Sequence, residues 1–135
     1  MKELAGFMGW IAAWGFCFEV LSYFIKLINR KYICKLSKEK SKSLNLYHFA
    51  MKLIIKYHKS VGIITVIAAI IHMILMFGFF ELSLSGIIAV GLMLCVLITG
   101  LYGAFINKNK KGKWLKFHRA LSIALIIVIM IHIVG

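Results

Sequence analysis

Four long apolar stretches follow one another along the chain, separated by polar segments. They cover about residues 4–28, 60–80, 82–106 and 114–135. Each has roughly 20 residues or more, the length that an α-helix needs to cross about 30 Å of hydrocarbon. Strands of a membrane β-barrel would be shorter and would alternate in polarity. The pattern therefore predicts an all-α membrane protein, with residues 1–135 forming a single domain, a four-transmembrane-helix bundle in up-down-up-down order.

The composition agrees with lipid as the solvent of this chain. Of its 135 residues, 62% are hydrophobic, and the mean hydropathy is +0.94. A soluble domain of this size has too much surface for its volume to hide that much apolar area. Proline is absent, so no residue type forces a break in a long helix. We expect a lipid bilayer to surround the four spans.

The basic residues are clustered rather than spread along the chain. The net charge is +13, and of the 17 Lys and Arg residues ten lie from Lys26 to Lys59 and six from Lys108 to Arg119. Both clusters fall between apolar runs, which is typical of membrane topology and not of a nucleic-acid surface. We therefore expect no nucleic-acid partner.

The same clusters predict an orientation. Under the positive-inside rule, the basic loops 29–59 and 107–113 are cytoplasmic. The connection 81–85 carries no Lys or Arg, so we expect it outside, together with both termini. The first apolar run is long and ends in a basic loop, as a retained anchor does rather than a cleaved signal. We expect a multi-pass protein of a prokaryotic plasma membrane.

The first basic loop contains a stretch without glycine or proline, Leu46 to Tyr57. Polar residues in and beside it recur at spacings of three and four, which predicts an amphipathic helix; they are Asn45, His48, Lys52, Lys56 and Lys59. Such a helix could lie in the inner interface or extend the second span into the cytoplasm, and its lysines would attract anionic lipid headgroups.

We expect Cys34 in this loop to be reduced, and Cys17 and Cys95 to serve as packing residues.

Histidines recur at one spacing in two of the spans. His58 and His72 flank the second span, and His118 and His132 flank the fourth, so an H-x13-H pattern occurs twice. Fourteen residues complete almost four helical turns, so each pair shares one face at levels about 21 Å apart. Because the two spans run in the same direction, His58 matches His118 in depth and His72 matches His132.

Two histidines at one depth can bind one haem iron from its two sides. We therefore expect two haem b groups at two levels, with His58, His118, His72 and His132 as axial ligands. A packing or proton-path role is the alternative for any one of these histidines. Zinc and copper are weaker rivals, because those ions require three or four converging ligands.

Small and charged residues near the histidines suit this interpretation. Gly86 and Gly100 are also 14 positions apart, and could admit the edges of two porphyrin rings; ordinary small-residue helix packing explains them equally well. Lys59 and Arg119, with Lys116, could bind the propionates of the inner haem, although positive-inside anchoring also accounts for them.

Glu19 lies about ten residues from the inner end of the first span. A carboxylate is expensive to bury there, so we expect Glu19 to be protonated or paired. It could take part in proton uptake linked to a quinone, or it could bond a neighbouring helix.

Two segments resemble the haem-bearing helices of membrane b-type cytochromes. They are HKSVGIITVIAAIIH at 58–72 and WLKFHRALSIALIIVIMIH at 114–132. The W-x-x-x-H-R start of the latter is similar to the matching helix of ferric-reductase-like transmembrane proteins, and the twin H-x13-H spacing is similar to the four-helix core of quinol-oxidising cytochrome b. The resemblance covers about residues 58–135 and implies two b haems on the four histidines. The chain departs from those families in its smaller number of spans and in lacking a Gly-rich nucleotide motif.

These patterns predict a di-haem cytochrome b that carries electrons across or within the membrane. We expect it to be the membrane subunit of a larger oxidoreductase, fed by a redox partner protein or a quinone. Bis-His ligation saturates the iron and favours electron transfer over oxygen activation. Two alternatives remain: a non-redox transporter or interaction protein whose histidines handle protons or metal ions, and a membrane anchor whose haems stabilise an assembly.

Overall fold

The computed structural model describes residues 1–33, 42–79, 83–107 and 112–135, and the side chain of Lys42 is left out of the description. Four α-helices follow in order: α1 (Lys2–Lys31), α2 (Lys42–Phe79), α3 (Leu84–Leu101) and α4 (Lys113–Val134). A π-helical segment, Tyr102–Ile106, continues α3. The described residues contain no strand. The predictions for Cys34 and for the connection at Glu81 concern positions outside the described residues.

All four helices are long and apolar enough to cross a membrane. Large apolar side chains cover their outer surfaces; Trp14, Phe77 and Phe105 are each at least 70% exposed. Such side chains are stable in contact with lipid but not with water. The fold class predicted from the four apolar runs, an all-α four-helix membrane bundle, is confirmed.

The helices alternate in direction. In the α1–α2 hairpin, contacts join Ala5 to His72 at one end and Ile25 to Tyr47 at the other. In the α3–α4 hairpin, Ser83 contacts His132, and Gly103 lies against Trp114. The helix backbones approach most closely within these two hairpins, and α2 also lies against α3. This is the up-down-up-down order expected from the sequence.

The second helix begins well before its apolar stretch. It runs without interruption from Lys42 to Phe79, so the amphipathic stretch 46–57 extends the second span and is not a separate interfacial helix. The Tyr47 hydroxyl donates a hydrogen bond of 2.7 Å to the carbonyl oxygen of Ile25. The extension therefore packs against the last turns of α1, and residues 42–59 of the expected loop 29–59 are helical.

The two hairpins place corresponding residues at constant offsets at several positions. The α2 and α4 histidines are offset by 60 residues, and so are two of the most buried side chains, Thr65 and Leu125. The first helices of the hairpins correspond at an offset of 77. Two pairs at this offset touch equivalent histidines, namely Gly9 with Gly86 and Ser22 with Thr99. Two further pairs are buried, namely Ala12 with Ala89 and Phe16 with Met93. The bundle thus consists of two similar halves.

Candidate functional site: paired histidines at two levels

The pair nearer Lys2 and Val134, called the outer pair after the orientation expected from the sequence, is formed by His72 of α2 and His132 of α4. Their ring centroids lie 6.3 Å apart, and the planes cross at 75°. Two imidazoles bound to one metal ion from opposite sides have centroids about 6 Å apart, because the metal–nitrogen bond is about 2.0 Å and a ring nitrogen lies about 1.1 Å from its ring centre. Both planes then contain the bond axis, so the angle between them is free. The separation fits bis-imidazole ligation.

Each ring of the outer pair is held through Nδ1. His72 Nδ1 lies 2.7 Å from the carbonyl oxygen of Ala5 and donates to it. His132 Nδ1 lies 3.1 Å from the Ser83 hydroxyl and 3.2 Å from that of Ser85. Among the described residues, these rings make hydrogen bonds only at Nδ1. Nε2 is therefore the nitrogen left for a ligand, and the bond at Nδ1 orients the ring, as second-sphere bonds do for metal-binding histidines.

The inner pair consists of His58 and His118, which lie within range of each other's charges. His118 Nδ1 lies 3.0 Å from the carbonyl oxygen of Val96 and 3.1 Å from the Thr99 hydroxyl. His58 Nδ1 lies 2.5 Å from Glu19 Oε2 and 3.2 Å from the Ser22 hydroxyl. All four histidines are partly buried, and all four present Nδ1 to the other helix of their own hairpin.

A cavity of about 270 Å³ separates the two halves at the outer level. Its volume is near the lower end of the range of ligand sites, about 300–1,000 Å³. His72 and His132 both line it, and most of the remaining wall is apolar. Small residues widen it, namely Gly6, Gly9, Ala12, Ala13, Ala69, Gly86 and Ala89. An apolar cavity with two imidazoles in its wall suits a flat apolar group with a metal ion at its centre.

The glycines predicted to admit porphyrin edges lie against imidazole rings, and Gly86 also lies against the Ser83 hydroxyl. A Cβ added to Gly86 would lie 3.0 Å from Cε1 of His132, and one added to Gly100 would lie 3.2 Å from Cε1 of His118. Gly9 stands in the same relation to His72. The small size of these glycines therefore makes room for the histidine rings. This is small-residue packing, the alternative that the sequence left open, and it acts on the imidazoles themselves.

Two of the three cations expected to bind propionates lie over aromatic rings. Lys59 Nζ is 5.5 Å from the centre of the Phe105 ring, and the Arg119 guanidinium is 5.3 Å from that of Tyr23. Each contact links two helices at the inner end of the bundle, as cation–π pairs can. Both residues remain near the inner histidines, and their role toward a propionate stays a prediction.

Several residues that hold the histidines were not predicted from sequence. They are Ala5, Ser22, Ser83, Ser85, Val96 and Thr99. Two of these act through a backbone carbonyl, which any residue type supplies. The Ser22 and Thr99 hydroxyls could have been found from the 77-residue offset between α1 and α3, but only once the histidine contacts show which positions correspond.

The described residues hold no group of three or more His, Cys, Asp or Glu side chains that could bind a metal ion. The histidines come in pairs, and a pair completes an axial set only when another group supplies the equatorial ligands. No protein-family model, curated protein or solved structure was found to match this chain.

Proposed function

We propose that this protein is a di-haem cytochrome b that carries electrons across or within a membrane. The supporting observation is the outer histidine pair, whose centroid separation of 6.3 Å suits one metal ion between the two rings. The engagement of Nδ1 on all four histidines adds to it, because it leaves Nε2 available and fixes each ring in place.

Each pair would hold one haem b, His58 with His118 and His72 with His132. Haem b supplies reversible one-electron chemistry at its iron. Two histidines would hold each haem iron, and such ligation would favour electron transfer over oxygen activation. The apolar wall around the outer pair would lower the local dielectric constant, which is one of the properties that set the potential of a bound centre.

The cellular setting is part of the same proposal. The basic loops would face the cytoplasm of a prokaryotic cell, with both termini outside. The chain would act as the membrane subunit of an oxidoreductase, resembling quinol-oxidising and ferric-reductase-like cytochromes. A quinone or a redox protein would be its partner.

Haem content of the purified protein tests the proposal. We expect a sharp Soret band and, after dithionite, the α-band of b haem, with about two haems per chain. His72→Ala and His118→Ala should each reduce this to about one, because each change removes one axial ligand from a different level. His48→Ala is the control, since His48 is exposed on the extension of α2, and it should retain both haems.

A colourless protein that stays colourless with added haem would overturn the proposal. In that case the contact between Glu19 and His58 would favour the proton-handling alternative. Haems that no quinone or acceptor re-oxidises would instead favour the anchor alternative.

A further inference from the structure

Of the four paired histidines, only His58 has a charged partner at Nδ1 among the described residues. Glu19 Oε2 lies 2.5 Å from Nδ1 of His58, whereas the other three histidines contact only carbonyl or hydroxyl oxygens at Nδ1. By the offset of 77, Val96 occupies the position in α3 that Glu19 occupies in α1. Glu19 therefore has no acidic counterpart in α3, and a carboxylate lies behind only one of the described rings.

The carboxylate is enclosed by the α1–α2 hairpin. Its side chain is 15% exposed, and Oε1 is buried with no hydrogen-bond partner among the described residues. Gly62 lies beside it, since a Cβ added at Gly62 would be 3.5 Å from Glu19 Oε2. Burying an acidic group this way is costly unless a specific partner stabilises it. The Nδ1–H of His58 is that partner.

A carboxylate acts on a metal-bound imidazole differently from a neutral acceptor. It draws the Nδ1 proton toward itself and makes the ring a stronger electron donor to the metal. A stronger donor stabilises the oxidised metal more than the reduced metal, and second-sphere bonds are one of the means by which a protein sets a haem potential. A neutral carbonyl or hydroxyl has the same effect to a smaller degree.

We propose that Glu19 is a positioning residue that orients His58 and lowers the reduction potential of the inner centre. This inference rests on the proposed function, since it requires a haem between His58 and His118. Nearby cations act in the opposite direction: Lys26 and Arg119 both lie within electrostatic range of His118. Lys26 and Arg119 carry their charges on long, exposed side chains, where solvent and salt weaken the effect. Glu19, in contrast, is in direct contact with the His58 ring.

A redox titration of the purified holoprotein tests the role of Glu19. In Glu19→Gln the amide keeps the shape of the side chain and loses the charge. We expect one of the two midpoint potentials to rise by about 59 mV, which corresponds to a tenfold change in the oxidation equilibrium of a one-electron couple. The other midpoint should stay unchanged, and the one that moves should be absent in His118→Ala. The low-spin ferric EPR signal of the same centre should shift as well.

Matched variants separate the charge from its surroundings. Glu3→Gln makes the same chemical change at the exposed start of α1, and should move neither midpoint. Adding Val96→Glu to Glu19→Gln puts a carboxylate at the equivalent position of the other half, next to His118. This double variant should return the inner midpoint toward its original value.

The outcomes distinguish this inference from the function on which it rests. Wild-type protein without haem would overturn both. Two haems whose potentials and EPR signals are the same in wild type and Glu19→Gln would overturn only the role of Glu19. If Glu19→Gln yields no folded protein, Glu19→Asp takes its place. It keeps the acid but draws it back by one methylene, so an unchanged inner midpoint in that variant would also contradict the inference.

Discussion

A histidine can bind a metal ion through either of its two ring nitrogens. In this bundle, neighbouring residues bond to Nδ1 and leave Nε2 available. At each of the four paired positions Nδ1 is bonded to the other helix of the same hairpin. A ring held in this way loses little freedom when Nε2 binds a metal ion, so the site is preorganised. At the residue scale, the spacing of the histidines and the partners of Nδ1 are equally important.

The glycines beside the rings allow this arrangement to be tested. In Gly9→Ala the new Cβ would lie 3.0 Å from Cε1 and 3.1 Å from Nδ1 of His72. The ring must then shift by a few tenths of an ångström, which lengthens its bond to the carbonyl oxygen of Ala5. We expect haem affinity at the outer level to fall about tenfold, as for other lost second-sphere contacts, measured by haem titration of the apoprotein.

Gly78→Ala is the matched control, because Gly78 of α2 does not line the cavity and a Cβ there meets no atom within 4 Å. Alanine also favours helix over glycine, so this variant should be at least as stable as the wild type. Equal haem affinity in both variants would show that the space at Gly9 is not needed by the ring.

Among the elements, the π-helical segment at the end of α3 marks the closest packing in the second hairpin. Gly103 lies in that segment and is buried, directly against the indole ring of Trp114 at the start of α4. The extra residue in a π-turn changes the direction of the following side chains, and such turns occur often at functional sites. Here it brings Gly103 under Trp114, whose ring centroid lies 6.5 Å from that of His118.

Alanine at Gly103 should therefore destabilise the α3–α4 hairpin. Its Cβ would overlap the six-membered ring of Trp114, and overpacking of this kind costs about 1–3 kcal/mol of unfolding free energy. We expect a lower thermal midpoint in detergent and altered tryptophan fluorescence. Gly91→Ala, where a Cβ meets nothing within 4 Å, should leave both unchanged; the same midpoint in the two variants would contradict the prediction.

On the scale of the whole molecule, two similar hairpins enclose a space between α2 and α4. Each hairpin holds its own histidines, so neither level is complete until the halves meet. The alternating helices place Lys2 and Val134 at one end of the bundle and Lys31 and Lys113 at the other. The expected orientation puts the second end, where the basic loops lie, in the cytoplasm.

Thiol labelling tests that orientation. In a background without the three natural cysteines, we expect a membrane-impermeant maleimide to label Lys2→Cys in intact cells and to label Lys113→Cys only after the cells are opened. The physical reason is the bias of Lys and Arg against translocation. The reverse pattern would show that the bundle is inserted the other way round.

Sequence alone was sufficient for the features that depend on local composition and on regular spacing. The four apolar runs determined the number of spanning helices, because backbone groups in lipid must be satisfied within a helix. The constant rise and turn of the α-helix then placed each pair of histidines on one face at two depths. Both kinds of inference use only properties that the chain has before its helices meet.

Other features were decided when the helices packed. The sequence left open whether residues 46–57 form a separate interfacial helix or extend the second span. In the folded bundle α2 is continuous from Lys42, and Tyr47 bonds to Ile25 of α1. The partners of Nδ1 at Ala5, Ser83 and Val96 come from helices distant in sequence, and two of them act through backbone atoms that carry no residue signature. The pairing of Glu19 with His58 likewise required tertiary contact, since the sequence predicted that this carboxylate would be protonated or paired but not which group it would meet.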